Sequence, residues 1–198
     1  MKSIILPALI GAFALISATA AEIGQGAPAF NAKDINGKAV SLGELRDKVV
    51  VLEWVNFGCP FVKKHYASGN MQKLQADYEA KGVVWITVNS AAKGKEGYLE
   101  TAKMAEVAKE NGNKATHFVI DDDGKIGKAF GAKVTPHMFI INKEGMLAYD
   151  GAIDSKATTE KDDLASADKL FANALDAVLA GKEVANAKNQ PYGCGVKY

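Results

Sequence analysis

From Val49 to Asn56 the chain is almost continuously apolar and rich in β-branched side chains, interrupted only by Glu53. A strand covered on both faces has this composition; a strand with one wet face alternates instead. Phe57-Gly58 breaks the run. A helix is predicted from about Cys59 to Ala80, with Phe61, Tyr66, Met71, Leu74 and Tyr78 on its apolar face and looser spacing near Gly69. Gly82 follows as a helix stop. Val83 to Val88 reads as a second buried strand. Two such strands joined by a helix pair in parallel through a right-handed crossover.

Further along, residues 97–110 predict a helix containing Leu99, Met104 and Val107, and His117 to Ile120 a short strand. Asp121-Asp122-Asp123-Gly124 is a polar turn before a short helix, Lys125 to Phe130, that ends at Gly131. Thr135-Pro136 precedes a strand over residues 138–141. Residues 142–145 then turn the chain into a strand over Leu147, Ala148 and Tyr149. A last amphipathic helix is predicted from Asp162 to Leu179. Upstream of the first strand, residues 21–37 form an irregular lead-in. Asn36-Gly37 marks a small hairpin, and Ser41 is placed to cap a short helix through Leu45 with Glu44 at the capping-box position. This order of elements predicts an α/β fold with a mixed central sheet flanked by helices on both faces.

The first twenty residues stand apart. Lys2 gives a positive start, Ile4 to Ile16 is apolar, and Ala18-Thr19-Ala20 is a small-residue cleavage site. Together they read as a signal peptide over residues 1–20, cut before Ala21. The expected organisation is therefore a leader (1–20), one domain (21–185) and a C-terminal tail (186–198). The mature protein would be periplasmic or extracellular, with no membrane span. Loss of Lys2 leaves 23 basic and 23 acidic residues, so no surplus charge points to nucleic acid or anionic lipid.

Export bears on the two cysteines, because an oxidising compartment lets a disulfide persist. Cys59 falls where the central strand gives way to its helix, with Pro60 next. Unpaired amides and the positive end of the helix dipole at such a point stabilise a thiolate. Proline is well tolerated in a first turn. Lys63, one turn on, either adds to that stabilisation or is simply a solvated lysine.

Cys59-Pro60-Phe61-Val62 resembles the thioredoxin Cys-x-x-Cys motif with Val62 in place of the second cysteine. Gly26-Ala27-Pro28-Ala29-Phe30, Asn36-Gly37-Lys38 and Ser41-Leu42 are similar to the opening of the peroxiredoxin/redoxin branch. Val134-Thr135-Pro136 resembles that superfamily's cis-proline loop. The resemblance covers most of residues 26–152 and implies a thioredoxin-like fold with a single active-site cysteine. It also implies that Thr135 and Pro136 face Cys59 and pair with a substrate chain. Glu53, six residues before Cys59, matches the position of the thioredoxin family's buried acid. Burial raises a carboxylate's pKa, which suits a proton acceptor.

Two reactions compete on this scaffold. A thiol–disulfide oxidoreductase works through a mixed disulfide; an antioxidant peroxidase oxidises its thiolate to a sulfenic acid. Peroxiredoxins carry Thr or Ser three residues before the cysteine, proline seven before it and an arginine downstream. Here the first two positions hold Asn56 and Leu52, and the sole arginine, Arg46, lies upstream. Disulfide exchange is therefore the leading reading. It needs a resolving thiol, and Cys194 is the only candidate within the chain, carried on a glycine-flanked, mobile tail. Cys194 either pairs with Cys59, remains an independent thiol or bridges two chains. His137, next to Pro136, is placed to approach Cys59, which opens a third reading of soft-metal or peptide binding without catalysis. The catalytic set expected is Cys59, Glu53 and Cys194. Pro60, Asn56, Thr135, Pro136 and His137 are expected around the substrate. No resident metal or cofactor is expected. The partner is a protein thiol or disulfide, or a small thiol or peroxide; the oligomeric state stays open.

Overall fold

The computed structural model describes residues 20–198. The leader read over residues 1–20 lies outside the described residues apart from Ala20.

The central sheet has five strands in the order β5-β4-β3-β7-β8. They are β3 (Val50–Trp54), β4 (Val84–Asn89), β5 (His117–Ile120), β7 (His137–Ile141) and β8 (Leu147–Gly151). β3, β4 and β5 run parallel, and β7 and β8 continue antiparallel from the other side of β3. All five residues of β3 are buried, as its apolar composition predicts. A hairpin, β1 (Asn31–Lys33) with β2 (Ala39–Ser41), precedes the sheet. Its turn is held by Asp34, whose Oδ1 accepts from the amides of Asn36 and Lys38, both at 2.9 Å. Ser41 makes no capping bond, and the short helix after it is a 3-10 turn, Leu42–Leu45.

The sheet separates two hydrophobic layers. One takes Val51, Val55 and Ile140 from the sheet and packs them with Met71, Met104 and Phe171 from helices; Cys59 belongs to it. The other takes Leu52, Trp54 and Phe139 and packs them with Phe30, Val40 and Phe130. The helices are α1 (Pro60–Ala67), α2 (Asn70–Glu79), α3 (Thr101–Glu110), α4 (Lys125–Phe130) and α5 (Leu170–Leu179). α4 supplies the second layer and the other four supply the first, so helices cover both faces. This is the thioredoxin-like arrangement.

Three predicted helices differ in the structure. Residues 59–80 form two helices rather than one. Gly69 has φ +77° and turns the chain, and the carbonyls freed there find side-chain donors: Ser68 Oγ donates to Lys64 O (2.7 Å) and Gln72 Nε2 to Tyr66 O (2.8 Å). α3 starts four residues late because Gly97, at φ +88°, lies against Asn56 with no room for a side chain. The last helix divides into a 3-10 turn (Lys161–Ala165) and α5. Between them, Asp168 receives the Ser155 amide on its carbonyl (3.1 Å) and donates its own amide to Ser155 Oγ (2.9 Å). Local bonds of this kind compete with helix.

Two short strands complete the chain. β6 (Val134–Thr135) pairs antiparallel with β9 (Cys194–Gly195), so the tail returns to the middle of the molecule.

Candidate active site

Cys59 is the residue before the first turn of α1, with Pro60 at the helix start. Asn56 builds the turn that puts it there. Its side-chain Oδ1 accepts the Gly58 amide (2.8 Å) and its carbonyl accepts the Cys59 amide (2.9 Å). Asn56 is thus occupied in shaping the junction. Cys59 is wholly buried.

Cys59 is joined to Cys194 by a disulfide that spans 135 residues, with Cα atoms 5.9 Å apart. The peptide bond between Thr135 and Pro136 is cis, and the Thr135 carbonyl oxygen lies 3.2 Å from Cys59 Sγ. In the reduced protein this oxygen is positioned to accept the S–H, which favours the thiol, while the start of α1 favours the thiolate. Thr135 is also the residue directly opposite Cys194 in the β6–β9 ladder. Cys59, Cys194, Thr135 and Pro136, expected at the site, are brought together there.

The tail is hydrogen-bonded to the domain along its length. Gly193 has φ +141°, and a side chain there would run into the Thr135 carbonyl, so only glycine serves. Beyond the disulfide, the Val196 amide donates to Lys133 O (2.9 Å), Lys197 O accepts from Ala92 (2.8 Å) and Tyr198 Oη donates to Ala132 O (2.7 Å). Before it, Asn189 Oδ1 accepts from Ala152 (2.9 Å).

Tyr192 enters a buried polar pocket that sequence reasoning missed. Its hydroxyl donates to Asp154 Oδ1 (2.5 Å) and lies 3.3 Å from His65 Nε2. Its ring packs edge-on to Phe61, with centroids 5.7 Å apart. Lys64, also fully buried, sits 5.6 Å above the same ring. Its ammonium donates to Lys156 O (2.8 Å) and stands 3.6 Å from Asp154 Oδ2. Desolvation holds the His65 pKa down at about 4, against the pull of Asp154, so the ring is neutral at neutral pH. Of the neighbouring lysines, Lys63 is exposed and it is Lys64 that turns inward. Of the two readings of Lys63, the exposed side chain fits the solvated lysine.

Glu53 is completely buried on the face of β3 that carries Val51 and Val55. Its carboxylate accepts from Tyr66 Oη (2.7 Å), Trp85 Nε1 (2.8 Å), Gln75 Nε2 (2.9 Å) and Thr87 Oγ1 (3.3 Å). Desolvation outweighs these four donors and raises its pKa. These bonds run to α1, α2 and β4, and none joins the carboxylate to the disulfide. Of these partners, Tyr66 is the one carried on α1, the helix that Cys59 precedes.

His137 goes elsewhere. It stands opposite Trp54 across the β3–β7 ladder and packs on Phe139 at 4.3 Å between centroids, in the layer across the sheet from Cys59. Its Nε2 pairs with Asp150 Oδ1 (2.8 Å) and its Nδ1 accepts the Lys133 amide (3.3 Å). The expectation that His137 approaches Cys59 is corrected by this alternation along β7. Arg46 is exposed beside the Gly145 turn, at the far end of β3 from Cys59. Among the described residues, no group of three or more His, Cys, Asp or Glu side chains is placed to hold a metal ion, and no helix is long and apolar enough to cross a membrane.

Known proteins resemble this chain in sequence and in shape. The family model described as Redoxin matches residues 22–170. A thiol-disulfide oxidoreductase ResA from Bacillus thuringiensis subsp. konkukian (strain 97-27) is 29% identical over 128 residues, 63% of this chain and 66% of that protein. The chain thus spans just under two thirds of the length of the curated relatives it matches. An uncharacterized conserved protein from Geobacillus kaustophilus superposes with a TM-score of 0.75 at 26% identity, over 89% of this chain and 92% of that one. A putative thiol:disulfide interchange protein DsbE from Chlorobium tepidum superposes with a TM-score of 0.55 at 23% identity, over 66% and 85%, which is a likeness of fold alone.

Proposed function

The chain belongs to the Redoxin family, and from that membership we propose that it is an exported thiol–disulfide oxidoreductase whose Cys59–Cys194 pair exchanges with a thiol or disulfide partner. The observation that carries this reading is the disulfide itself. It joins the residue at the start of α1 to a tail strand laid against Thr135, beside the cis-Pro136 bond. A cross-link kept only for stability has no need of a helix start and a Thr135 carbonyl at one of its sulfurs. Relatives named as thiol-disulfide oxidoreductases support the same chemistry. Closing the bond releases two electrons and two protons to the partner; opening it takes them up.

Thr135 holds Cys194 in the β6–β9 ladder, so a partner chain meets the pair beside Thr135 and Pro136, and Pro60 sets the helix start beneath it. Glu53 acts at one remove. Its raised pKa suits it to hold a proton behind α1, and its bond to Tyr66 fixes that helix relative to β3. Peroxide reduction is the alternative and is less well supported. The side-chain oxygen of Asn56 is committed to the Gly58 amide, and Arg46 lies at the other end of the strand. A peroxide transition state would lack the bidentate cation that arginine supplies.

The test compares reduction of a model protein disulfide with peroxide consumption, in wild type, Cys59→Ser and Cys194→Ser. Disulfide reduction lost in both variants supports the reading. Fast peroxide consumption that survives in Cys194→Ser would overturn it.

A further inference from the structure

The two sulfurs of the pair are not equivalent, and the difference assigns their order of reaction. Cys59 has no exposed surface. On its inner side it belongs to the same packed layer as Val55, Val62 and Tyr66. Val62 is buried where a Cys-x-x-Cys protein carries its second thiol, so no internal thiol attacks from beneath. On its outer side Cys59 is covered by the tail. Cys194 is partly exposed, and Gly195 after it is exposed with no side chain to shield the bond.

We infer that the partner reacts at Cys194, and that Cys59 is the inner sulfur which leaves when the disulfide opens and returns when it closes. An incoming thiolate forms a bond to Cys194 Sγ, the Cys59–Cys194 bond breaks, and the electron pair departs on Cys59 Sγ. That sulfur is at the positive end of α1, where a leaving thiolate is stabilised. On protonation it has the Thr135 carbonyl 3.2 Å away to accept the S–H. The mixed disulfide stays on Cys194, and a second partner thiolate attacks the partner's sulfur and releases Cys194 as a thiolate. The partner dithiol is thereby oxidised to a disulfide and the protein reduced by two electrons. In reverse, Cys194 attacks a partner disulfide and Cys59 resolves the adduct. The tail strand is then the electron-carrying arm of the enzyme. It lies on the β6 edge at Thr135 and carries the partner when the disulfide is open.

This inference rests on the pair being redox-active, and the experiment separates the two. Oxidised full-length protein is mixed with glutathione, quenched in acid at early times, alkylated and mapped by peptide mass spectrometry. The expected result is glutathione on Cys194 with the alkyl label on Cys59, at least tenfold over the inverse pattern. Glutathione on Cys59, or an equal division between the two, would overturn the order while leaving the redox pair intact. A disulfide that resists both glutathione and excess dithiothreitol would overturn the redox reading, and the order with it.

Discussion

Cys194 of β9 stands directly opposite Thr135 of β6 in an antiparallel ladder, and the Thr135 carbonyl oxygen lies 3.2 Å from the Cys59 sulfur. Thr135 therefore contacts both halves of the disulfide, one through register and one through its oxygen. The tail is held there by backbone pairing as well as by the covalent bond. Reduction frees the sulfurs without by itself removing the strand's other attachments.

The disulfide is expected to stabilise the fold strongly. It closes a loop of 135 residues in sequence separation, worth about 5 kcal/mol by the loss of chain entropy in the unfolded state. Denaturant melts of oxidised wild type against Cys194→Ser should differ by about that amount, with the midpoint shifting more than the slope. A difference below about 1 kcal/mol would mean that the unfolded chain is already constrained.

Gly193→Ala should detach the tail around the disulfide. The substitution asks a side chain to accept φ +141° and to share space with the Thr135 carbonyl. A cost of about 1–3 kcal/mol is expected, appearing as faster hydrogen exchange at Val196, whose amide bonds to Lys133. Gly195→Ala, at a position with open space around it, should leave the exchange rates unchanged.

The sulfur site was largely legible in the chain, and the tail's course was not. The run from Val49 to Asn56, ended by Phe57-Gly58, places Cys59 at a strand-to-helix junction by local pattern alone. The loop at Thr135-Pro136 was likewise visible as a motif. Residues 186–198 carry no such periodicity; their order comes from partners far away in sequence, namely β6, Ala92, Ala132 and Asp154. The burial of Lys64 was not legible for a related reason. Its burial depends on Asp154, Lys156 and Tyr192 closing over α1 from two distant segments. His137 is a different case, since alternation with Phe139 along β7 was enough to assign its face.

Acid stability should fall in a window set by His65. Its folded pKa of about 4 lies below the ordinary value of 6.5, so the unfolded chain binds the proton first as pH falls. Stability from the neutral ring is complete above pH 6.5 and is lost as pH drops towards about 4, amounting to about 3 kcal/mol. His65→Gln should flatten melts measured between those two pH values. Part of the slope will remain, because burial also lowers the pKa of His137.

Glu53 works in the opposite direction. Its folded pKa is raised from 4.5 by desolvation, so above pH 4.5 the folded state keeps a proton that the unfolded state releases. Stability is full below pH 4.5 and declines as pH rises through the folded value. Glu53→Gln should remove that decline, leaving the one from Asp121, whose pKa burial also raises. If Glu53 also serves the sulfur through Tyr66, the same variant will shift the pH profile of disulfide exchange. An unchanged profile with altered stability would confine Glu53 to a structural role.

The most direct test of the redox pair is an equilibrium titration of the full-length protein through a series of dithiothreitol redox buffers, with both cysteines counted by alkylation and mass spectrometry at each point. A functional Cys59–Cys194 couple predicts one two-electron transition in which both thiols appear together, and none in Cys194→Ser. Thiols that appear independently, or protein that carries two free thiols under oxidising conditions, would contradict it.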